Sequence, residues 1–366
     1  MAAEEKATLE HGRHEREPDP AAMAKDKART RVKGGVLLLG VLLVQLGFIL
    51  SYVGAFHAPA PHDVDLAVVG PAQAAEQTVT KLNALAGHPL HARTAADETA
   101  ARTLIDDRQV YGALLLGPDG HDTLLVAGGA GTSVTSAMQS VLAQAEAAQR
   151  RTLTVDDIVP VNSGDNRGLS GFYLAVGWVV GGYLFATALA VVGGRLRGLP
   201  ATGRRLALVA GYAALSGLGG ALIVDQILGV YAGHYWALAG LGALVVFATA
   251  AFTLALQAVL DFVGIGLVIM LFVVLGNPSA GGAYGTALLP PFWAAIGPWL
   301  TPGAATDGIR SIVYFGGTGA GQPLWVLAGY AVFGVALTVV ATWYRDRRTS
   351  PACNAKLCNL ASFAAA

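Results

Sequence analysis

One apolar segment stands apart from the rest of the apolar sequence in this chain. Gly34–Phe56 is long enough to supply the roughly 20 residues with which a helix crosses a bilayer. A polar stretch, His57–Leu169, then separates it from a long apolar block. A single-pass anchor would stop after the first span, and most channels have no globular insert there. One helix, an external domain and then a helical bundle is an order typical of transporters.

The composition agrees with a membrane protein. The chain is 54% hydrophobic and 13% charged, with a mean hydropathy of +0.53 and 47 glycines, which are common where membrane helices pack closely. Its 24 basic and 24 acidic residues cancel, so charge gives no reason to expect nucleic acid as a partner. The predicted partner is the lipid bilayer.

The N-terminal segment sets the predicted orientation of the first span. Residues 1–33 are polar and lack apolar periodicity, which predicts a disordered cytosolic tail. We expect a retained helix at 34–56 and not a cleaved signal peptide, because its apolar run exceeds the roughly 7–15 residues of a signal peptide. By the positive-inside rule, the basic cluster before the span holds the N-terminus in the cytosol: Lys25, Lys27, Arg29, Arg31 and Lys33.

The polar stretch 57–169 is predicted to form an extracytoplasmic α/β domain. Short apolar runs at 66–69 and 90–94 predict strands, and helical periodicity follows each of them. Gly117-Pro118-Asp119-Gly120 is a strong hairpin signal between two further strands. Another amphipathic helix and a last strand give the predicted order βαβαββαβ.

The C-terminal block, 170–345, predicts a five-helix bundle and therefore six transmembrane helices in all. Its expected spans are Gly171–Val192, Leu206–Leu228, Tyr235–Leu260, Phe262–Gly276 and Leu324–Tyr344. Basic links alternate with neutral ones, so both termini, including the tail 346–366, are expected in the cytosol. The fifth span is short, which leaves a re-entrant hairpin near Asp261 as an alternative. The basic cytosolic link carries Arg195, Arg197, Arg204 and Arg205.

Polar residues at membrane depth are candidate functional residues because their burial is costly. Asp225, followed by Gln226, could lie on a substrate or proton pathway or at the outer interface, and the sequence does not decide between them. The glycines 177, 181 and 182 form a small-residue face on one span. That face could be a dimer seam, a sliding surface or tight packing within one bundle.

The segment 277–322 is too long for an ordinary connector. Its prolines and apolar residues predict short broken helices that re-enter the outer leaflet, where irregular backbone must be surrounded by protein or line a cavity. We therefore take Asn277, Pro278 and Arg310 as substrate-pathway candidates; a surface cap over the bundle is the alternative.

Signals for an enzyme are weak. The sequence has no Gly-x4-Gly-Lys-[Ser/Thr] loop and no His-Glu-x2-His motif. Its two cysteines, Cys353 and Cys358, lack the second pair or nearby histidines that a zinc site needs. The prediction is a protein without catalytic residues, metal or cofactor.

The segment 277–317 resembles the C-terminal part of the YhgE/Pip-like family, bacterial membrane proteins of the ABC-2 permease superfamily related to the phage infection protein. The resemblance rests on Asn277-Pro278-Ser279-Ala280-Gly281-Gly282-Ala283, Pro302-Gly303-Ala304-Ala305 and Ile309-Arg310-Ser311-Ile312-Val313-Tyr314-Phe315-Gly316-Gly317. Asp165-x-Arg167-Gly168-Leu169 also resembles the family's entry into its second span.

This resemblance implies an α-helical polytopic protein of the bacterial plasma membrane, with an external domain between its first two helices. It also implies a homodimer and export of a small or lipophilic compound or an envelope component. A separate nucleotide-binding ATPase would then couple through the arginines of the 193–205 link. The alternative is a receptor or scaffold whose external domain binds an envelope or phage ligand.

Overall fold

The structure is a computed structural model that describes residues 20–194 and 198–349. It is mostly helical, with one small sheet. Within this part of the chain, five helices are long and apolar enough to cross a membrane. These candidate spans are Leu38–Phe56, Ser170–Gly193, Leu199–Ile227, Tyr235–Leu260 and Gly321–Arg347.

The first helix, α1, runs from Pro20 to Phe56. It therefore begins within the segment that the sequence predicted to be disordered, and the disorder prediction is wrong for residues 20–33. Alanine, lysine, arginine and methionine, all strong helix formers, dominate the start of this helix, and proline is favoured in its first turn. The rest of the predicted tail, residues 1–19, lies outside the described residues.

The polar stretch forms a five-stranded sheet with three helices, in the predicted order βαβαββαβ. The elements are β1 (Val64–Val69), α2 (Ala72–Asn83), β2 (Leu90–Thr94), α3 (Glu98–Asp106), β3 (Gly112–Leu115), β4 (His121–Val126), α4 (Thr132–Ala148) and β5 (Thr152–Asp157). The strand order across the sheet is β2-β1-β3-β4-β5. Only β3 and β4 are antiparallel, and the predicted 117–120 turn joins them.

Both faces of this sheet are covered. Leu66 and Leu114 pack with Met138 and Leu142 of α4 on one face, whereas Ala67 and Ala113 pack with residues of α3 on the other. Leu288, far along the chain, joins the first of these cores. The sheet is therefore packed directly against a part of segment 277–322.

The remaining helices are α5 (Ser170–Gly193), α6 (Leu199–Leu222), α7 (Tyr235–Leu260), α8 (Phe262–Val268), α9 (Asn277–Ser279), α10 (Pro291–Ile296), α11 (Thr301–Tyr314) and α12 (Gly321–Thr349). Alpha-helix α7 is the most buried of the candidate spans, with 61% of its apolar window inside the protein. Helices α5, α6, α11 and α12 pack around it. Helix α7 is therefore the central helix of the bundle.

The predicted fifth span differs from the other predicted spans. Helix α7 ends at Leu260, Asp261 turns the chain with a φ of 50°, and α8 begins at once. A π-helical segment, Ile269–Gly276, continues α8 into α9. The apolar part of this run, Val263–Ser279, is shorter than the five helices that qualify as spans. The turn predicted at Asp261 is confirmed.

The three glycines of α5 that the sequence analysis singled out, Gly177, Gly181 and Gly182, have different surroundings. A Cβ atom at Gly182 would lie 2.9 Å from the carbonyl oxygen of Val246 in α7, so this glycine permits close helix packing within the bundle. Gly181 faces the Tyr212 hydroxyl, whereas a Cβ atom at Gly177 would meet nothing within 4 Å. Packing within the bundle therefore explains Gly182 but not Gly177.

Candidate functional site

A cavity of about 290 Å³ lies where the sheet and its helices meet segment 277–322. We call it the Arg310 cavity. Residues that follow α3, Arg108 to Tyr111, line one side of it, together with Asp65 of β1. The opposite side is built from α9, α10, α11 and their connections. Its lining there includes Ser279, Ala280, Thr286, Gly297, Gly303, Asp307, Arg310 and Gln322.

Arg310 projects from α11 into this cavity. One Nη atom donates a hydrogen bond to the carbonyl oxygen of Gly281, at 2.7 Å. Burial of the guanidinium lowers the pKa of Arg310, and nearby Asp307 only partly opposes this effect. No carboxylate forms an ion pair with Arg310 among the described residues. Arg310, predicted to belong to a functional site, thus lines a cavity in the structure.

Arg108 is the second cation of the cavity, and sequence analysis missed it. It follows α3 with a φ of 58°, a conformation that side-chain-bearing residues rarely adopt. Its guanidinium forms an ion pair with Asp307, donates to the Ser311 hydroxyl at 2.5 Å and lies 5.2 Å from the centre of the Phe315 ring. These contacts fasten the turn after α3 to α11.

Close backbone contacts fix the opposite wall. A Cβ atom at Gly297 would lie 2.0 Å from the carbonyl oxygen of Ser279, and one at Gly303 would lie 2.1 Å from the carbonyl oxygen of Gly297. No side chain fits at either point, because backbone atoms cannot move aside as a flexible side chain can. Three separate stretches of main chain therefore meet here without intervening side chains.

Asn277 and Pro278 lie at the end of the π-helical segment, beside the cavity-lining Ser279. Pro278 has no amide hydrogen, so it cannot donate to the carbonyl oxygen of Val274 as an ordinary helical residue would. The buried hydroxyl of Ser51, in α1, donates a hydrogen bond to that oxygen. Single π-helical turns often mark functional sites, and here the turn precedes the cavity wall.

Asp225 and Gln226 line neither cavity described here. They lie in a second π-helical turn, Ile223–Ile227, at the end of α6. The buried carboxylate of Asp225 accepts hydrogen bonds from the His234 amide at 2.9 Å and from the side chain of Gln226. These bonds close the loop between α6 and α7 and use both oxygens of the Asp225 carboxylate.

Asp165 lies just before α5, the first helix of the bundle. It is part of the motif that resembles the family's entry into its second span. Its carboxylate accepts hydrogen bonds from the amides of Leu169 and Ser170 at the start of α5, at 3.0 and 3.1 Å. The hydroxyl of Tyr231, in the loop between α6 and α7, donates to the same carboxylate at 2.9 Å. Burial, with the nearby Tyr314 and Asp165, raises the pKa of Tyr231 and keeps it a neutral donor.

A second cavity, of about 420 Å³, lies at the other end of α5 and α7. We call it the Arg205 cavity. Apolar residues of these helices line it together with Arg205, Gln257, Asp261 and Arg345. The Arg205 guanidinium donates to the carbonyl oxygen of Gly194 at 3.0 Å, and Arg204 is exposed. The other two arginines predicted to couple to an ATPase, Arg195 and Arg197, lie outside the described residues.

The described residues contain no group of three or more His, Cys, Asp or Glu that could hold a metal ion. Comparisons of the chain with protein-family models, curated proteins and solved structures find no match. The geometry therefore carries the functional argument. It offers a polar cavity at one end of the bundle, a more apolar cavity at the other and a broken helix leading to the first.

Proposed function

We propose that this chain is the permease subunit of a bacterial export system of the ABC-2 type, resembling the YhgE/Pip-like proteins. In this proposal the chain crosses the plasma membrane six times with both termini in the cytosol. The sheet-bearing part, residues 57–169, is an extracytoplasmic domain between the first two spans. Two copies and a separate nucleotide-binding ATPase form the working assembly, which exports a small or lipophilic compound or an envelope component.

The observation that carries the proposal is the broken helix beside the Arg310 cavity. An apolar run, Val263–Ser279, passes through a π-helical segment, reaches Pro278 and ends where the polar lining begins. Interrupted helices of this kind supply substrate sites in transporters, because their free backbone groups can face a solute. A simple membrane anchor needs no such interruption.

The two cavities support the same proposal by their positions. Helix α5 begins next to Asp165 and Ile309, on the side of the sheet, and ends next to the Arg205 cavity. The Arg310 cavity and the Arg205 cavity therefore lie at opposite ends of one helical bundle. Alternating access exposes one solute pathway to each side of the membrane in turn, and in this proposal the two cavities lie toward its two ends.

The run from α8 to α9 is the fifth span of the proposal, and it brings the five long apolar helices to six spans. It is apolar, and the π-helical segment contains only apolar residues and glycine. A short apolar helix can cross where the bilayer thins locally or where neighbouring helices surround it. In this topology the turn at Asp261 lies on the cytosolic side, together with the link around Arg204.

The first test is the purification of the tagged full chain from native membranes in a mild detergent, followed by mass spectrometry. We expect a nucleotide-binding ATPase at a constant ratio to the chain. Arg204→Glu, at an exposed position in the proposed coupling link, should reduce ATPase recovery. Arg102→Glu, at an exposed position near the sheet, is the matched control and should leave it unchanged.

The orientation has its own test. In a chain with Cys353 and Cys358 replaced by serine, a single cysteine at Asp119 should react with a membrane-impermeant maleimide on intact cells. A cysteine at Arg204 should react only after permeabilisation. A homodimer that purifies repeatedly without any ATPase would contradict the ATP-driven mechanism and favour a receptor or scaffold.

A further inference from the structure

We infer that the Arg310 cavity binds a small organic acid, with the guanidinium of Arg310 holding its carboxylate or phosphate group. This inference deepens the proposed function, on which its role in transport rests, because it names the chemical class of the solute. The binding step itself can be measured on the purified chain without an ATPase.

The charges around the cavity lead to this inference. Four charged residues line it: Asp65, Arg108, Asp307 and Arg310. Asp65 contacts a His91 ring nitrogen at 2.8 Å, and Arg108 pairs with Asp307. Among the described residues, Arg108 and Asp307 thus pair with each other, whereas Arg310 forms no ion pair with a carboxylate.

Arg310 also has unused hydrogen-bonding capacity. A guanidinium has five N–H donors in a fixed plane, and the described contacts of Arg310 use one of them, for the Gly281 carbonyl. Arg310 is half-buried, so its guanidinium has lost part of its hydration without gaining a counter-charge, which is costly. A planar or tetrahedral oxyanion that accepts two N–H bonds from one guanidinium would offset that cost.

The cavity is larger than a bare anion requires. Its volume of about 290 Å³ approaches the lower end of the roughly 300–1,000 Å³ of typical small-molecule pockets. Ile105, Val110 and Phe315 contribute apolar surface to its lining. An acid with a compact apolar body would therefore fill the cavity better than inorganic phosphate does.

Two features of the cavity wall connect the binding of such a solute to the broken helix: the Arg108–Asp307 pair and the position of Gly281. Arg108 and Asp307 hold the two sides of the cavity together across segments that are distant in sequence. Gly281, which accepts the hydrogen bond from Arg310, has a φ of 70° and lies two residues after the end of α9. A rearrangement of the broken helix would therefore move a partner of the binding arginine.

Isothermal titration calorimetry on the full chain in detergent tests the inference, with acetate, benzoate, phosphate and phenyl phosphate at constant ionic strength. We expect saturable binding of benzoate or phenyl phosphate, tighter than that of acetate or phosphate. The two aryl probes also distinguish a carboxylate from a phosphate ligand. Arg310→Gln should weaken binding at least tenfold, whereas Arg102→Gln should leave it unchanged.

Two further measurements keep the test decisive if Arg310→Gln does not fold. Arg310→Lys retains the positive charge and should bind more weakly than the parent chain, because lysine lacks the two-pronged geometry. Hydrogen exchange of the unaltered chain should show ligand-dependent protection of the amides of residues 281–286. Absence of saturable binding by all four probes, or equal binding by Arg310→Gln, would overturn the inference. The purification of an ATPase partner would be unaffected by either result.

Discussion

Arg108 and Asp307 form a two-point ion pair across 199 positions of the sequence, and this pair joins the turn after α3 to α11. The Arg108 side chain is 19% exposed and that of Asp307 is 38% exposed. Bidentate arginine–carboxylate pairs in partly buried positions are stronger than ordinary surface pairs. The pair therefore links the sheet to segment 277–322, and both Arg108 and Asp307 line the Arg310 cavity.

A double-mutant cycle measures this link. Arg108→Gln and Asp307→Asn should each lower the apparent melting temperature in a fixed detergent, because each leaves a partly buried charge without its partner. The double variant should lose less than the two single losses combined, with a coupling of about 1–2 kcal/mol. Strictly additive losses would show that the pair contributes no interaction energy. Arg102→Gln, at the exposed pair with Glu98, is the control and should change little.

A buried carboxylate near the hairpin predicts a pH-dependent stability. Burial raises the pKa of Glu146 to about 7, and its contact with Asp122 adds to this effect. Burial alone would also raise the pKa of Asp122, but hydrogen bonds from Arg151 and the Gly117 amide lower it. Asp122 therefore stays ionised while Glu146 takes up the proton.

The sign follows from linkage. Between pH of about 4.5 and 7 the folded chain holds the Glu146 proton more tightly than the unfolded chain, so the contribution of Glu146 to the free energy of unfolding falls as pH rises through this interval. Glu146→Gln cannot titrate. From pH 5 to pH 7 the melting temperature of the parent chain should fall relative to that of Glu146→Gln. Above pH 8 the difference between the two should stay constant. A difference independent of pH would contradict the raised pKa.

The sequence was enough to predict the elements of the sheet, because the strands are apolar runs and the hairpin has an explicit turn signal. It was also enough to place the turn at Asp261 and four of the five later spans as long apolar helices. It could not predict the helix over residues 20–33, since polar sequence without apolar periodicity is typical of disorder as well as of an exposed helix extension. Local composition favours the helix only weakly.

The site was partly predictable. Arg310 was recognisable because it is the one basic residue of segment 277–322, which is otherwise rich in apolar residues, glycine and proline. Arg108 was not, because an arginine at the end of an amphipathic helix is ordinarily a solvated residue, and its partner lies in another part of the chain. For Asp225 the sequence left a pathway position and an interface position open, and it did not predict the hydrogen bonds of its oxygens with the His234 amide and Gln226. Such contacts depend on the tertiary fold and have no local signal in the sequence.

Two glycines of α5 offer a matched pair. Gly182→Ala places a methyl group 2.9 Å from the Val246 carbonyl oxygen and 3.0 Å from Thr249 Cβ, so α5 and α7 must separate. We expect a loss of about 1–3 kcal/mol, seen as a lower melting temperature. Gly177→Ala meets nothing within 4 Å and should leave the melting temperature of the monomer unchanged or slightly raised. If Gly177→Ala instead weakens dimerisation in detergent, this exposed position belongs to a dimer seam.

The Tyr231 hydroxyl connects the loop between α6 and α7 to Asp165 at the start of α5. Tyr231→Phe removes the hydrogen bond to Asp165 without changing the ring, and should cost about 1–2 kcal/mol because the buried carboxylate loses a donor. Asp165→Asn should cost more, since it also weakens the acceptor of the Leu169 and Ser170 amides. Equal melting temperatures for Tyr231→Phe and the parent chain would show that this bond is not stabilising.

Ser51 and Pro278 form the last testable pair. The Ser51 hydroxyl donates to the Val274 carbonyl oxygen, which Pro278 cannot serve for lack of an amide hydrogen. Ser51→Ala should therefore lower the melting temperature, by an amount that corresponds to about 0.6–1.7 kcal/mol for a hydrogen bond between membrane helices. In a Pro278→Ala background, the new amide can serve the Val274 oxygen, and Ser51→Ala should then cost much less. An unchanged cost in that background would mean that the new amide does not replace the Ser51 hydroxyl at the Val274 oxygen, so the missing amide of Pro278 would not be the reason for the Ser51 contact.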